Sequence, residues 1–318
     1  MNVAVLYGGI SPERNVSISS AKSVIPALME LGYNVKPIDP AYGSNGLRTI
    51  DELNGIDEFP TIEELEKLNP KRILECFNSE LFDDVDVAFI VMHGKYGEDG
   101  IVQALLELRG IPYIGSNVKA SSLAMDKASS KMLFGAAGLP TPHWTVMSHK
   151  DFGNYEMIEE IRHELGEELV IKPNDQGSTI GITIVNNGNL DDIHQGVIEA
   201  GKYSDHIIIE KYIEGRELTV GILDGEPLPV IEIVPESGFY DYKHKYTKGH
   251  TEYICPAELT EDITHFTQGL AQTAYLALGC SGFGRVDFRL NEDGQPFILE
   301  VNRSEERRVG KECRSRLS

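Results

Sequence analysis

Gly284 to Asn302 reads G-R-V-D-F-R-L-N-E-D-G-Q-P-F-I-L-E-V-N, and Asp293-Gly294 between two alternating apolar runs is a strong β-hairpin signal. With Asp293 and Gly294 as the loop, Glu292 pairs with Gln295, and the count places Asp287 opposite Glu300 and Arg285 opposite Asn302. Side chains alternate with period two along a strand, so these four groups are predicted to share one face. Two carboxylates held opposite each other repel unless a cation stands between them or one is protonated. Asp287, Glu300 and the side-chain carbonyl of Asn302 offer only oxygen, the donor set that magnesium or manganese takes when bridging nucleotide phosphates. Arg285 beside them suits contact with a transferring phosphoryl group. A hairpin alone would be read as a charged, solvated strand face. The rest of the chain favours the metal.

Composition narrows the partners. The chain of 318 residues carries a formal net charge of -21, which argues against nucleic acid or an anionic membrane surface. A polyanion such as ATP would need a local basic site or a metal. Cys76, Cys255, Cys280 and Cys313 are scattered with no Cys-x-x-Cys spacing, so neither zinc nor a disulfide framework is expected, and a reducing cytoplasm fits best. Met1-Asn2-Val3-Ala4-Val5 has no basic region before its apolar run, and no apolar stretch is long enough to span a bilayer. A soluble protein of two or three subdomains is expected.

Val3 to Tyr7 followed by Gly8-Gly9, Ser11-Pro12 and a helical stretch from about Val16 to Leu31 reads as strand, glycine turn and helix. This is no G-x-G-x-x-G fingerprint, so a dinucleotide site is not supported. Glu13 and Arg14 fall at the carboxyl end of the first strand, where open α/β sheets place ligands; Glu13 also suits the electrostatics of a helix N-terminus. Val35 to Ile38 continues the βαβ pattern. The buried strand Val85 to Met92 runs into His93-Gly94-Lys95-Tyr96-Gly97-Glu98-Asp99-Gly100, whose glycines permit close backbone approach to a ligand.

Met125-Asp126-Lys127 is predicted to enter an amphipathic helix reaching Gly138, ended by Pro140-x-Pro142. On its own Lys127 reads as a helix-surface lysine. In Leu169-Val-Ile-Lys172-Pro173 a lysine interrupts an apolar strand, and Asn174 to Gly181 follows as a loop rich in glycine and hydroxyls. Strand, lysine and flexible loop make a phosphate cradle that lacks the Walker order. His206 to Tyr212 is a further buried strand ending in Glu210-Lys211, with Glu217 close behind. Glu236 to Cys255, rich in Tyr, Lys and His without apolar periodicity, is long enough to be a lid.

The His93 to Gln103 run resembles a signature of the D-alanine–D-alanine ligases, members of the ATP-grasp superfamily. Gly8-Gly9-x-Ser11-x-Glu13-Arg14 and the hairpin resemble two more, in order, over essentially Met1 to Asn302. The resemblance implies an α/β fold: a Rossmann-like N-terminal domain (1–115) and an ATP-grasp fold of two α+β lobes (116–209 and 210–302). It implies ATP-dependent joining of two D-alanines for peptidoglycan precursors. Lys127, Lys172, Thr179 and Lys245 would bind phosphates, Glu210, Lys211 and Ile213 would hold adenine, and Glu217 would hold ribose. Asp287, Glu300 and Asn302 would bind two magnesium or manganese ions, and Arg285 would stabilise the acyl phosphate. Glu13, through Ser178 and Tyr246, would orient the first substrate, and His93 would line its pocket. The lysine–tyrosine pair Lys245-Tyr246 favours the dipeptide over D-alanyl-D-lactate, despite His244 nearby. A homodimer and a bacterial origin are family expectations. The alternatives are another ATP-grasp ligase, D-alanine–D-lactate ligase foremost, and a non-catalytic nucleotide-binding remnant.

After Asn302 the family continues with Ser or Thr, one residue, then Pro-Gly-Met and a final helix, whereas this chain reads R-S-E-E-R-R-V-G-K-E-C-R-S-R-L-S. Residues 303–318 carry six basic and three acidic groups in a chain that is otherwise strongly acidic, with no helix-period apolar face. The stretch resembles translated adapter sequence and is read as foreign. The segment it replaces contacts the second D-alanine in the family, so weakened nucleotide binding, poor catalysis and lower stability are expected of this chain.

Overall fold

The computed structural model describes residues 1–56, 61, 64, 65, 67–235 and 251–303. Contacts divide these into two compact units: Met1–Ser122 with Cys280–Phe283 and Arg303, and Leu123–Gly279 with Gly284–Asn302. Among the described residues no helix is long and apolar enough to cross a membrane, and Cys76, Cys255 and Cys280 are buried free thiols.

The first unit is an open parallel sheet of β1 (Asn2–Leu6), β2 (Asn34–Ile38), β3 (Val87–Ile90) and β4 (Tyr113–Ile114), in the order β2-β1-β3-β4. Its helices are α1 (Arg14–Glu30), α2 (Ile50–Asn54), α3 (Lys71–Phe77) and α4 (Ile101–Arg109). Period-two alternation separates two cores. Val3, Val5 and Tyr7 pack with Ile18, Ala21 and Ile25 of α1. Ala4 and Leu6 pack on the other face with Ile73 and Phe77 of α3 and Val102 and Leu106 of α4. A strand buried on both faces must be apolar throughout, which is why β1 reads as a continuous run. The chain leaves β1 toward β2 on one side and β3 on the other, so the carboxyl ends of β1 and β3 flank the point where strand order reverses. Ligands of open α/β sheets bind at that point.

After α5 (Val118–Met125) the second unit continues with α6 (Lys127–Ala136). The helix expected from Met125-Asp126-Lys127 to Gly138 is α6, and α5 before it is a separate helix. Asp126 has extended backbone angles and its carboxylate accepts from Ser129 N–H, ending one helix and capping the next. Next come β5 (Trp144–Ser148), α7 (Tyr155–Leu165), β6 (Leu169–Pro173), β7 (Thr183–Val185), α8 (Leu190–Ala200) and β8 (His206–Lys211). The four strands form an antiparallel sheet, β5-β8-β6-β7, with Ile158 and Ile161 of α7 and Ile193 and Val197 of α8 in its core. A second sheet, β11-β10-β9-β12-β13, comprises β9 (Arg216–Leu223), β10 (Glu226–Pro235), β11 (Thr251–Ile254), β12 (Phe283–Leu290) and β13 (Pro296–Asn302). Helix α9 (Glu261–Ala277) contacts β9, β10 and β13.

The β12–β13 hairpin corrects one expectation and keeps another. Asp287 does stand opposite Glu300 and Arg285 opposite Asn302, but Leu290 pairs with Pro296, a register one residue off that of a two-residue Asp293-Gly294 loop. The turn is wider because Asn291 Oδ1 accepts from Gln295 N–H at 2.8 Å and Asn291 N–H donates to Gln295 O at 3.1 Å. An irregularity between Asp287 and Phe288 and their partners then takes up one extra residue on β13 and restores the far register.

Candidate active site

In the second unit one cavity is lined by Lys127, Lys172, the loop Gln176–Thr179, the strand end Glu210–Ile213, Glu217, and Asp287, Arg289 and Glu300 of the hairpin. Its floor is ionic. Lys172 on β6 stands opposite Ile208 on β8, so Glu210 lies two residues along the partner strand, a diagonal neighbour within reach of a long side chain. Lys172 Nζ meets Glu210 Oε1 at 2.5 Å, and Lys131 Nζ, from α6, meets Glu210 Oε2 at 2.7 Å. Burial raises the cost of charge on Glu210, yet Lys131 and Lys172 hold its carboxyl below the usual carboxylate range. The same burial, only partly offset by Glu210, pulls the Lys131 ammonium down to about 8.

Lys127 is buried rather than on the helix surface. Its Nζ donates to Gln176 O at 2.6 Å and lies 3.4 Å from Glu300 Oε2. The start of α6 is clamped to the end of β6: Lys127 N–H donates to Asn174 O at 3.0 Å and Ala128 N–H to Asn174 Oδ1 at 2.9 Å. In the loop, Ser178 and Thr179 take left-handed φ of 52° and 62°. Thr179 Oγ1 is buried with no hydrogen-bond partner among the described residues. Held strain and an unmet hydroxyl in a loop lining a cavity are features of a ligand clamp.

On the hairpin, Arg285 donates from Nε and one terminal nitrogen to the two oxygens of Asp287, each at 2.8 Å. Thr219 Oγ1 donates to Asp287 Oδ1 at 2.7 Å and Asn302 Nδ2 to Asp287 Oδ2 at 2.9 Å. Asn302 Nδ2 also lies 3.5 Å from Glu300 Oε1, so its amide stands between the two carboxylates, a hard-oxygen set that fits a magnesium-like cation once that amide is turned to present its oxygen. Among the described residues no group of three or more His, Cys, Asp or Glu gathers anywhere, and the hairpin set itself has only two carboxylates.

Family models confirm the alignment of both halves: "D-ala D-ala ligase N-terminus" matches residues 2–116 and "D-ala D-ala ligase C-terminus" residues 133–304. The chain belongs to the D-alanine–D-alanine ligase family. It is 40% identical over 301 residues to the D-alanine–D-alanine ligase of Methylacidiphilum infernorum, covering 95% of this chain and 84% of that protein. The crystal structure of the Bacillus anthracis D-alanine–D-alanine ligase is similar with a TM-score of 0.72 at 33% identity, over 95% of this chain and 86% of that one. The same enzyme complexed with ATP gives 0.69 at 30%, with the same coverage. The chain is accordingly a ligase with an ATP-grasp fold.

The family residues expected in the first unit gather at the switch point. Glu13 stands at the N-cap of α1 and its side chain makes no cap hydrogen bond. It lies against the turn after β3, where a Cβ on Gly94 would meet Glu13 Oε2 at 2.6 Å. Ser11 Oγ donates to His93 O at 2.6 Å, and His93 Nε2 stands 3.4 Å from Ser20 Oγ. Arg14 is committed to structure: it pairs with Asp39, and it donates to Gly9 O at 2.6 Å. Burial opposes its charge, but Asp39 leaves it above its ordinary pKa.

Lys172, Ser178, Thr179, Glu210, Lys211, Ile213, Glu217, Asp287 and Glu300 line the one cavity with Lys127. Ile213 offers its carbonyl to Arg289 Nε at 3.0 Å, and Glu217 lies 3.8 Å from Arg289. Lys245 and Tyr246, with His244, lie outside the described residues. Sequence reasoning missed Lys131, Arg289 and Thr219. For Lys131 a signal existed, since a lysine four residues after Lys127 shares its helix face; Thr219 and Arg289 alternate in strands and carry no such mark.

Proposed function

We propose that this chain joins two D-alanines at the expense of ATP, forming a D-alanyl phosphate. The observation that carries the reading is the cavity that gathers Lys127, Lys172, a strained glycine-hydroxyl loop and two hairpin carboxylates. One carboxylate shared by two buried lysines leaves net positive charge in a poorly solvated wall, and a polyphosphate completes its neutralisation. Lys127, Lys172, Thr179 and Lys245 bind the phosphates, the strand end at Glu210, Lys211 and Ile213 takes adenine, and Glu217 takes ribose hydroxyls. Asp287, Glu300 and Asn302 would hold magnesium or manganese, which when bound neutralises charge on the β- and γ-phosphates.

In the reaction, a carboxylate oxygen of the first D-alanine attacks the γ-phosphorus, and the bond to the β-γ bridging oxygen breaks to release ADP. The second D-alanine's amine attacks the acyl carbon, loses a proton, and displaces inorganic phosphate. Glu13, with Ser178 and Tyr246, is assigned to the first substrate's ammonium group, His93 to the substrate pocket, and Arg285 to the developing negative charge. The two sheets of the second unit are read as the two ATP-grasp lobes, and the working form as a cytoplasmic homodimer.

The test incubates the chain with ATP, magnesium and D-alanine and follows phosphate release and dipeptide by chromatography. D-Alanine-dependent phosphate release with D-alanyl-D-alanine as product is expected. A preference for D-lactate as second substrate overturns the dipeptide reading. ADP binding without D-alanine-dependent release favours the nucleotide-binding remnant.

A further inference from the structure

Lys131 contacts no proposed ligand above, yet among the described residues it is one of the most completely buried charges, 1% exposed. Its ammonium makes two contacts. One is to Glu210 Oε2 at 2.7 Å, on the far side of the carboxylate from Lys172. The other is a hydrogen bond donated to Thr141 Oγ1 at 2.6 Å. Thr141 in turn donates to Ile298 O at 2.9 Å, and Ile298 N–H donates to Pro140 O at 2.9 Å. Ile298 lies on β13, two residues before Glu300. A continuous polar path therefore runs from Lys172 through Glu210, Lys131 and Thr141 to the strand that bears the hairpin carboxylates, joining the two sheets of the second unit.

We propose that Lys131 is a positioning residue for nucleotide binding: it fixes the Glu210 carboxylate, and through it the Lys172 ammonium, and ties both to β13. The inference rests on the nucleotide reading of the cavity. Its physical basis is that a carboxylate with one lysine partner can rotate about its terminal bond, whereas one hydrogen-bonded at one oxygen and ion-paired at the other is restrained. A fixed Glu210 holds Lys172 Nζ at the cavity wall before any phosphate arrives, lowering the ordering cost of binding. Lys131 itself lines no part of that cavity, so it acts through Glu210 rather than on the nucleotide.

The experiment measures ADP affinity with magnesium by calorimetry, and KM for ATP against kcat, in the unaltered chain, Lys131→Met, Glu210→Gln and the double variant. Lys131→Met is expected to weaken ADP about tenfold and to raise KM for ATP by a similar factor. The double variant is expected to bind ADP within about twofold of Glu210→Gln alone, because both changes cut the same link. A merely structural lysine would lower the folded, active fraction and hence kcat, leaving ADP affinity per folded molecule and KM for ATP unchanged; that result overturns the proposal. So does a double variant whose loss equals the product of the single losses. If Lys131→Met does not fold, the double variant against Glu210→Gln decides: equal affinity supports the link, and a further tenfold loss refutes it. Failure of the unaltered chain to bind ADP would instead sink the nucleotide reading.

Discussion

At position 210 a carboxylate lies inside the protein with a lysine on each oxygen, and its energetics are those of a charge that only partners make tolerable. Removing one member of a buried ion pair costs about 3–5 kcal/mol, because the remaining charge stays desolvated. Glu210→Gln strands two ammoniums and is expected to lose at least that range at pH 7, read by urea unfolding. The pH dependence has a definite sign. Because the folded carboxyl sits below its ordinary value of 4.5, its contribution is fully present above that pH and disappears as pH falls through the folded value. Unfolding curves from pH 7 to 3 should show an acid limb in the unaltered chain that is shallower in Glu210→Gln. An identical limb in both would mean that Glu210 is not the titrating group. Lys131 gives a slope of the same sign in a higher window: its value of about 8 against 10.5 for a free lysine penalises the charged form, so stability rises as pH climbs from 8 to 10.5.

At the scale of the element, the β12–β13 hairpin shows how a sequence count reaches the right pairs by a route that the chain does not take. The Asp293-Gly294 turn was expected to set the register by itself. Asn291 instead widens the turn, and a one-residue irregularity beyond Phe288 compensates. A side-chain hydrogen bond of that kind carries no periodic signal, whereas the alternation that puts Asp287 and Glu300 on one face does. The far end of β12 is held close to the start of β9. Gly215 has φ of 136°, and a Cβ there would fall 1.9 Å from Leu290 O. Backbone oxygen cannot retreat as a side chain can. Gly215→Ala should therefore cost more than the roughly 1–3 kcal/mol of a strained backbone conformation alone. Thermal unfolding checks this, and a loss of less than about 0.5 kcal/mol, the size of an ordinary surface substitution, would contradict the packing of β9 on the hairpin end.

At the scale of the whole molecule the chain is two units, and the cavity proposed to take nucleotide belongs to one of them. A ligand that binds only the folded state stabilises it by about 2.7 kcal/mol at one hundred times its dissociation constant. For a unit of this size each kcal/mol is worth about 2–4 °C. Saturating ADP with magnesium should raise the melting temperature of the second unit by roughly 5–10 °C, seen by scanning calorimetry; no shift at all would remove the cavity as a nucleotide site. The sequence alone determined the α/β class, the strand-turn-helix at Gly8-Gly9, the lysine in β6 and the two facing carboxylates, because alternation, glycine turns and charges within apolar runs are local signals. Only the tertiary structure decided that Lys127 is buried, that Arg14 serves Asp39, and that Lys131 pairs with Glu210. Those outcomes depend on which distant segment covers a side chain. Burial is set by the packing of elements far apart in sequence, and it is burial that turns an ordinary surface lysine into a charge that must be partnered.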